Sequence, residues 1–127
     1  ANALAVGAAV GALDAYDNEG GLAGVSRQGP RLLRSLTEVA RTSRVLTGVR
    51  GLGMMAAVDL RTRDGRPFEA SARMGRQVFR EAVKRGALLR PLGAPLYLFP
   101  PLHTPAGELD DMVHILAASV HGVAPGG

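Results

Sequence analysis

The chain contains no cysteine, which excludes disulfides, thiolate zinc sites and cysteine nucleophiles at one stroke. Aromatic residues are scarce, three Phe and two Tyr, too few to build the stacking platforms on which single-stranded nucleic acids are held. Lysine is nearly absent: of fifteen basic residues only Lys84 is a lysine. Long apolar runs are missing as well. The longest uncharged N-terminal stretch, Ala1 to Leu13, is mostly Ala and Gly, lacks a basic flank, and is too short to span a bilayer. These absences predict a protein with no membrane partner and no secretory leader, and its expected location is the cytoplasm.

What is present describes an ordinary core-forming chain. Its 127 residues are 46% hydrophobic, and a domain of this size buries roughly two-thirds of its unfolded surface. The net charge of +4 and pI near 10.6 invite a nucleic-acid reading. Against it, the arginines are spread from Arg27 to Arg90, and a domain-wide basic balance is a weak footprint without a clustered groove. No nucleic-acid partner is expected. The chain opens on Ala1, without an initiator Met, inside an apparent helix, and so reads as a piece of something longer.

Periodicity divides the chain into four helices and several short strands. Residues 3–17 form an Ala- and Gly-rich helix whose small side chains predict close, buried packing, ended by Asn18, Gly20 and Gly21. A second helix over 22–40 repeats Leu22, Val25, Leu32, Leu33, Leu36 and Val39 on one face. Pro30 stands in its middle, where proline costs about 3 kcal/mol, so a kink or break is predicted there. From Val45 to Leu60 the pattern reads as two short strands, or one strand bulged at Gly51 and Gly53. The run Arg63-Asp64-Gly65-Arg66-Pro67 is a turn. A third helix is predicted over 69–85, with Ala72, Val78, Phe79, Ala82 and Val83 inward and Gly86 as its stop. Short strands follow at 87–90 and 96–99. The last helix has Thr104 as N-cap, Pro105 at its first position and Glu108 one turn on. The expected fold is therefore α+β, a small antiparallel sheet of about three to four strands covered by helices.

Three segments carry a family resemblance. They are Val49-Arg50-Gly51-Leu52-Gly53-Met54-Met55, then Gly86-Ala87-Leu88-Leu89-Arg90-Pro91-Leu92-Gly93 with Leu96-Tyr97-Leu98-Phe99-Pro100-Pro101-Leu102, and the opening Asn2-Ala3-Leu4-Ala5. In order and spacing they resemble the C-terminal small domain of class III pyridoxal-phosphate (PLP) aminotransferases, enzymes of fold type I. The resemblance implies that residues 1–121 are that small domain, with 1–20 a helix linking it to a missing large PLP-binding domain, and that 122–127 form a disordered tail. It also implies a homodimeric parent acting on a small-molecule amino donor and acceptor. The Arg-Pro-x-Gly motif with a Tyr seven residues beyond the Arg most resembles members that move an amino group from S-adenosylmethionine to 8-amino-7-oxononanoate, in biotin biosynthesis. Transaminases of ω-amino acids and amines carry a similar Arg, and Ala94-Pro95 departs from the more usual pair.

Transamination needs a lysine to bond the cofactor, an acid for its pyridine nitrogen and donors for its phosphate. The resemblance puts all of them upstream of Ala1, and Lys84 matches none of them, reading as a surface lysine. No catalytic residue is therefore expected in this chain, which should be inactive alone. Arg90 is the candidate for substrate binding: by resemblance it takes the substrate carboxylate, and a planar guanidinium fork accepts a carboxylate through two bonds. The plainer alternative is a structural salt bridge at a strand end. Tyr97 either lines the same pocket or is a core aromatic. Asn2 is a peripheral candidate beside the cofactor phosphate. Gly51 and Gly53 are expected to serve backbone geometry, and Met54 and Met55 the core. His114 and His121 lie seven apart on a helix, about 10 Å, too far to share a metal ion, so no metal site is expected. A non-catalytic interaction module with the same fold remains the competing reading.

Overall fold

The computed structural model describes residues 2–18, 20–93 and 95–124. In chain order the elements are α1 (Ala3–Asn18), α2 (Gly21–Thr42), β1 (Leu46–Leu52), β2 (Met55–Leu60), a single 3-10 turn (Ala70–Ala72), α3 (Met74–Lys84), β3 (Arg90–Pro91), β4 (Pro95–Leu98) and α4 (Ala106–Val123). The strands form one antiparallel sheet in the order β1-β2-β4-β3. Two hairpins thus lie side by side, with β4 of the second pairing β2 of the first. This is the α+β arrangement that the periodicities predict.

Strand alternation gives the sheet two unlike faces. Ala56, Val58 and Leu60 of β2 and Leu96 and Leu98 of β4 point to one side. There they join Leu32 and Leu36 of α2, Val78 and Ala82 of α3, and Val113, Leu116 and Val120 of α4 in a single core. Each fully buried leucine contributes roughly 1.5–3 kcal/mol. The helices α2, α3 and α4 all lie on this side, and the other face carries no helix of the core.

Several expectations are corrected. The segment around Pro30 stays one helix from Gly21 to Thr42. Proline removes one hydrogen bond, but Gly29 just before it and Leu32 and Leu36 after it are buried, so tertiary packing holds both halves. Gly29 makes a close backbone approach: a methyl there would lie 2.6 Å from the Gly53 carbonyl oxygen in the β1–β2 turn. Helix α1 is exposed along its described length, Leu4 by 82%, with only Tyr16 half-buried. Its small side chains need an opposing backbone surface, and its main contact within the chain is with α2.

The third helix begins at Met74 rather than Glu69, because Arg73 takes a left-handed conformation (φ 46°) that separates it from the 3-10 turn. Val83 is exposed rather than inward. Gly86, at φ 93°, ends the helix as expected, and the Ala87 N–H donates to the Ala82 carbonyl. Thr104 does not cap α4. Its buried hydroxyl donates to the Pro101 carbonyl at 2.8 Å, and Pro105 stands one residue outside the helix. That helix continues through Val123, so Gly122 and Val123 are helical rather than tail, while residues 125–127 of the expected tail lie outside the described residues. Among the described residues no helix is long and apolar enough to cross a membrane.

Candidate functional site

The helix-free face of the sheet carries the polar residues, and strand register decides which of them meet. In β1, Leu46 pairs with Leu60 and Thr47 with Asp59, but the register then shifts so that Arg50 pairs with Ala57. The extra residue is a bulge at Gly48-Val49. Gly48 takes φ 62°, and a methyl on it would sit 2.9 Å from Asp59 Oδ2, so glycine is needed both for the turn and for the room. The bulge keeps Val49 packed against the core while Arg50 is delivered to the open face.

Pairing continues across the sheet. Ala57 is the partner of Tyr97, and Tyr97 is the partner of Arg90. Arg50, Ala57, Tyr97 and Arg90 therefore form one row across all four strands, on one face. Ala57 is only 4% exposed although it lies outside the helix-side core. In the register it lies between the two long side chains of Arg50 and Tyr97.

Arg50 is firmly held. Its Nη1 donates to the Gly48 carbonyl at 2.7 Å and its Nη2 to Asp59 Oδ1 at 3.0 Å. Asp59 also faces Arg61, 3.7 Å away. The Asp59 carboxylate, through its hydrogen bond first, keeps the Arg50 guanidinium above its ordinary pKa, and the Tyr97 phenol lies close enough to add to the effect. Arg90 is different. It is exposed on the edge strand β3 and forms none of the ion pairs among the described residues. Among the described residues no carboxylate therefore pairs with its guanidinium fork. Tyr97 is half-buried on the open face and is not part of the core cluster.

Large apolar side chains are exposed near this row. Leu52 (89% exposed) and Met55 pair with each other on the same face, and Leu88, Leu92 and Phe99 are exposed on the neighbouring strand edges. They form an exposed apolar set of the kind that interaction surfaces carry. Met55 belongs to it, whereas Met54 is buried, so the two methionines expected in the core separate. A cavity of about 670 Å³ lies elsewhere, on the helix side between Phe68, Met74, Phe79 and Pro91, away from the row.

The remaining candidates do not join the site. Asn2 caps α1: its Oδ1 accepts from the N–H groups of Leu4 (3.1 Å) and Ala5 (3.4 Å). Lys84 lies on α3, in the helix layer, and is ion-paired with Glu81 at 3.0 Å. Ala94 lies outside the described residues. The Lys84 ammonium is thus paired on the exposed side of α3, and among the described residues no set of side chains fits PLP. Arg50 and Asp59 are the residues that sequence reasoning missed. Arg50 stands inside the glycine-punctuated motif, but only the sheet register shows that it reaches Tyr97, 47 positions along the chain.

The comparisons with known proteins agree with one another. The family model of class III aminotransferases matches residues 1–120. The adenosylmethionine-8-amino-7-oxononanoate aminotransferase of Nitratidesulfovibrio vulgaris is 36% identical over 135 aligned positions, covering 99% of this chain and 24% of that protein. The enzyme of the same name from Geobacter sulfurreducens is 44% identical over 81 residues, covering 61% of this chain and 18% of that protein. Among solved structures, a PLP-bound amine transaminase from an uncultivated Pseudomonas species superimposes with a TM-score of 0.84 at 31% identity, over 92% of this chain and 27% of that one. The PMP-bound aminotransferase of Vibrio fluvialis gives 0.84 at 26% identity, over 91% of this chain and 26% of that one. The chain spans about a quarter of the length of these relatives.

Proposed function

Because the chain belongs to the class III aminotransferase family, we propose that it is the C-terminal small domain of a PLP-dependent aminotransferase and that its open sheet face binds the substrate carboxylate. The observation that carries this reading is the pairing of Arg90, which forms no ion pair among the described residues, with Tyr97 on a face that also exposes Leu52 and Met55. Arg90 supplies the fork, Tyr97 a hydroxyl beside it, and the exposed apolar side chains the contact with the rest of the parent. PLP and its lysine belong to that remainder. Covering the face excludes water and strengthens the arginine–carboxylate bonds.

The names of the curated relatives favour the biotin-pathway reaction, in which S-adenosylmethionine donates the amino group to 8-amino-7-oxononanoate. Both of these molecules carry a carboxylate that Arg90 would take. A second reading, an amine transaminase, is favoured by the similarity to the Pseudomonas structure. The parent is a homodimer in either reading, and residues 1–20 link the two domains.

The test uses the whole protein. The coding DNA upstream of Ala1 is read for an in-frame extension containing the cofactor lysine, and amino donors are assayed beginning with S-adenosylmethionine. Arg90→Met is expected to lower kcat/KM for a carboxylate-bearing acceptor by about 2–5 kcal/mol, roughly 30- to 4,000-fold. An equal loss on acceptors with and without a carboxylate would remove Arg90 from the binding role. A stop codon close to Ala1 would remove the enzyme reading altogether.

A further inference from the structure

Arg50 belongs to no part of the function described so far, yet it is held at two points on the open face. It is fixed from two directions, by the Gly48 carbonyl and by the Asp59 carboxylate. Its neighbour across Ala57 is Tyr97. Strands two apart are roughly 10 Å from each other, and a lone methyl between them leaves that space to the two long side chains. Ala57 is only 4% exposed on this otherwise open face, and Tyr97 lies near enough to act on the Arg50 guanidinium.

The donor and acceptor inventory then sets a direction. Arginine has only donors, while a tyrosine hydroxyl has one donor proton and oxygen lone pairs that accept. A phenol oxygen facing Arg50 can only accept from it. Its own proton must point away from the guanidinium, along the row toward Arg90. Asp59 meanwhile occupies and neutralises Arg50, so that Arg50 does not compete with Arg90 for an anion.

We propose that Arg50, clamped by Asp59 over the Gly48 bulge, is a positioning residue that turns the Tyr97 hydroxyl proton toward a carboxylate bound at Arg90. The relay runs from the Arg50 N–H to the Tyr97 oxygen, and from the Tyr97 O–H to the carboxylate, which Arg90 grips from its other side. No bond is made or broken in this arrangement; it orders donors around one anion. The inference rests on the reading of Arg90 as the carboxylate anchor and adds to it a device for selecting an anionic acceptor.

The experiment is a double-mutant cycle in the full-length holoenzyme, reading KM and kcat separately for a carboxylate-bearing acceptor and for one lacking the group. Arg50→Met and Tyr97→Phe are each expected to raise KM for the carboxylate acceptor about 10-fold, with a smaller change in kcat. The double variant is expected to be no worse than either single one, because both remove the same hydrogen bond. Arg50→Lys, which keeps a donor but not the two-sided clamp, is expected to recover part of the loss. Thermal melting and cofactor absorbance of each variant separate a binding effect from poor folding. Additive losses in the cycle, or an equal effect on both acceptors, would overturn the proposal. If Arg90→Met discriminates between the acceptors while Arg50→Met does not, the relay fails and the carboxylate anchor stands. If neither variant discriminates, the carboxylate reading fails first.

Discussion

Gly29→Ala sets two magnitudes of opposite sign against each other at one position. Replacing a mid-helix glycine with alanine ordinarily stabilises by about 1 kcal/mol, through lower backbone entropy in the unfolded chain. In α2, however, the new methyl would lie 2.6 Å from the Gly53 carbonyl oxygen, 2.9 Å from its carbonyl carbon and 3.0 Å from its Cα. All three atoms are backbone, and Gly53 is itself held in the left-handed region at φ 56°, so no side chain can rotate out of the way. The helix and the β1–β2 turn must separate, at the upper end of the roughly 1–3 kcal/mol that overpacking costs. The clash wins, leaving a net loss of about 2 kcal/mol. With a urea m-value of about 2 kcal/mol/M for a domain of this size, the unfolding midpoint falls by about 1 M. The assay is equilibrium urea unfolding of the chain by far-UV circular dichroism, at one low protein concentration. Gly11→Ala is the internal control. It lies on α1 with no atom within 4 Å of the added methyl, so only the helix-propensity gain remains and its sign is reversed. An unchanged or higher midpoint for Gly29→Ala would refute the claim that α2 and the hairpin touch through glycine. It would also weaken the account of how Arg50 is placed, since the same hairpin carries it.

Three further outcomes are expected. Arg31 of α2 bonds Asp110 of α4 through two contacts, one of 3.2 Å, and this hydrogen bond, more than the charge itself, holds the Asp110 carboxyl below its ordinary 3.8. A depressed folded-state pKa adds stability above the unfolded value that is lost as pH falls through the folded one. The gap in urea midpoint between the native chain and Asp110→Asn should therefore be present at pH 7 and close below about pH 3.8; an equal gap at both pH values would contradict it. The isolated 127 residues should show no transamination with added PLP, because Lys84 is paired with Glu81 on a helix outside the open face; turnover by the purified chain would overturn that. Exposed α1 and the exposed apolar side chains of the sheet should make the isolated chain self-associate, seen as a concentration-dependent sedimentation coefficient, whereas a monomer with a single cooperative melt would count against an uncovered interface.

Helix positions were legible in the sequence because their signals are local. Leu32 and Leu36 repeat at the helical period and are buried, and Gly86 stops α3 where its left-handed φ is needed. Local signals failed where a distant contact outweighed them. Pro30 does not break α2, since Gly29 and Leu32 are anchored on either side of it. Thr104 gives its hydroxyl to Pro101 instead of capping α4. The small residues of α1 predicted close, buried packing, but the helix is exposed along its described length and touches mainly α2.

The same division runs through the site. Arg90 and Tyr97 could be singled out from sequence because the motif around them is contiguous and lies in one hairpin. By itself the sequence determined the α+β alternation and the family likeness. Only the tertiary structure decided that β4 pairs with β2, that a bulge at Gly48 shifts Arg50 into line with Ala57, and that Asp59 holds it there. Helix periodicity depends on neighbours three or four residues apart and is written locally. Sheet order and register depend on pairings between residues as far apart as Ala56 and Leu98, chosen by the packing of the whole core, and no local pattern encodes them.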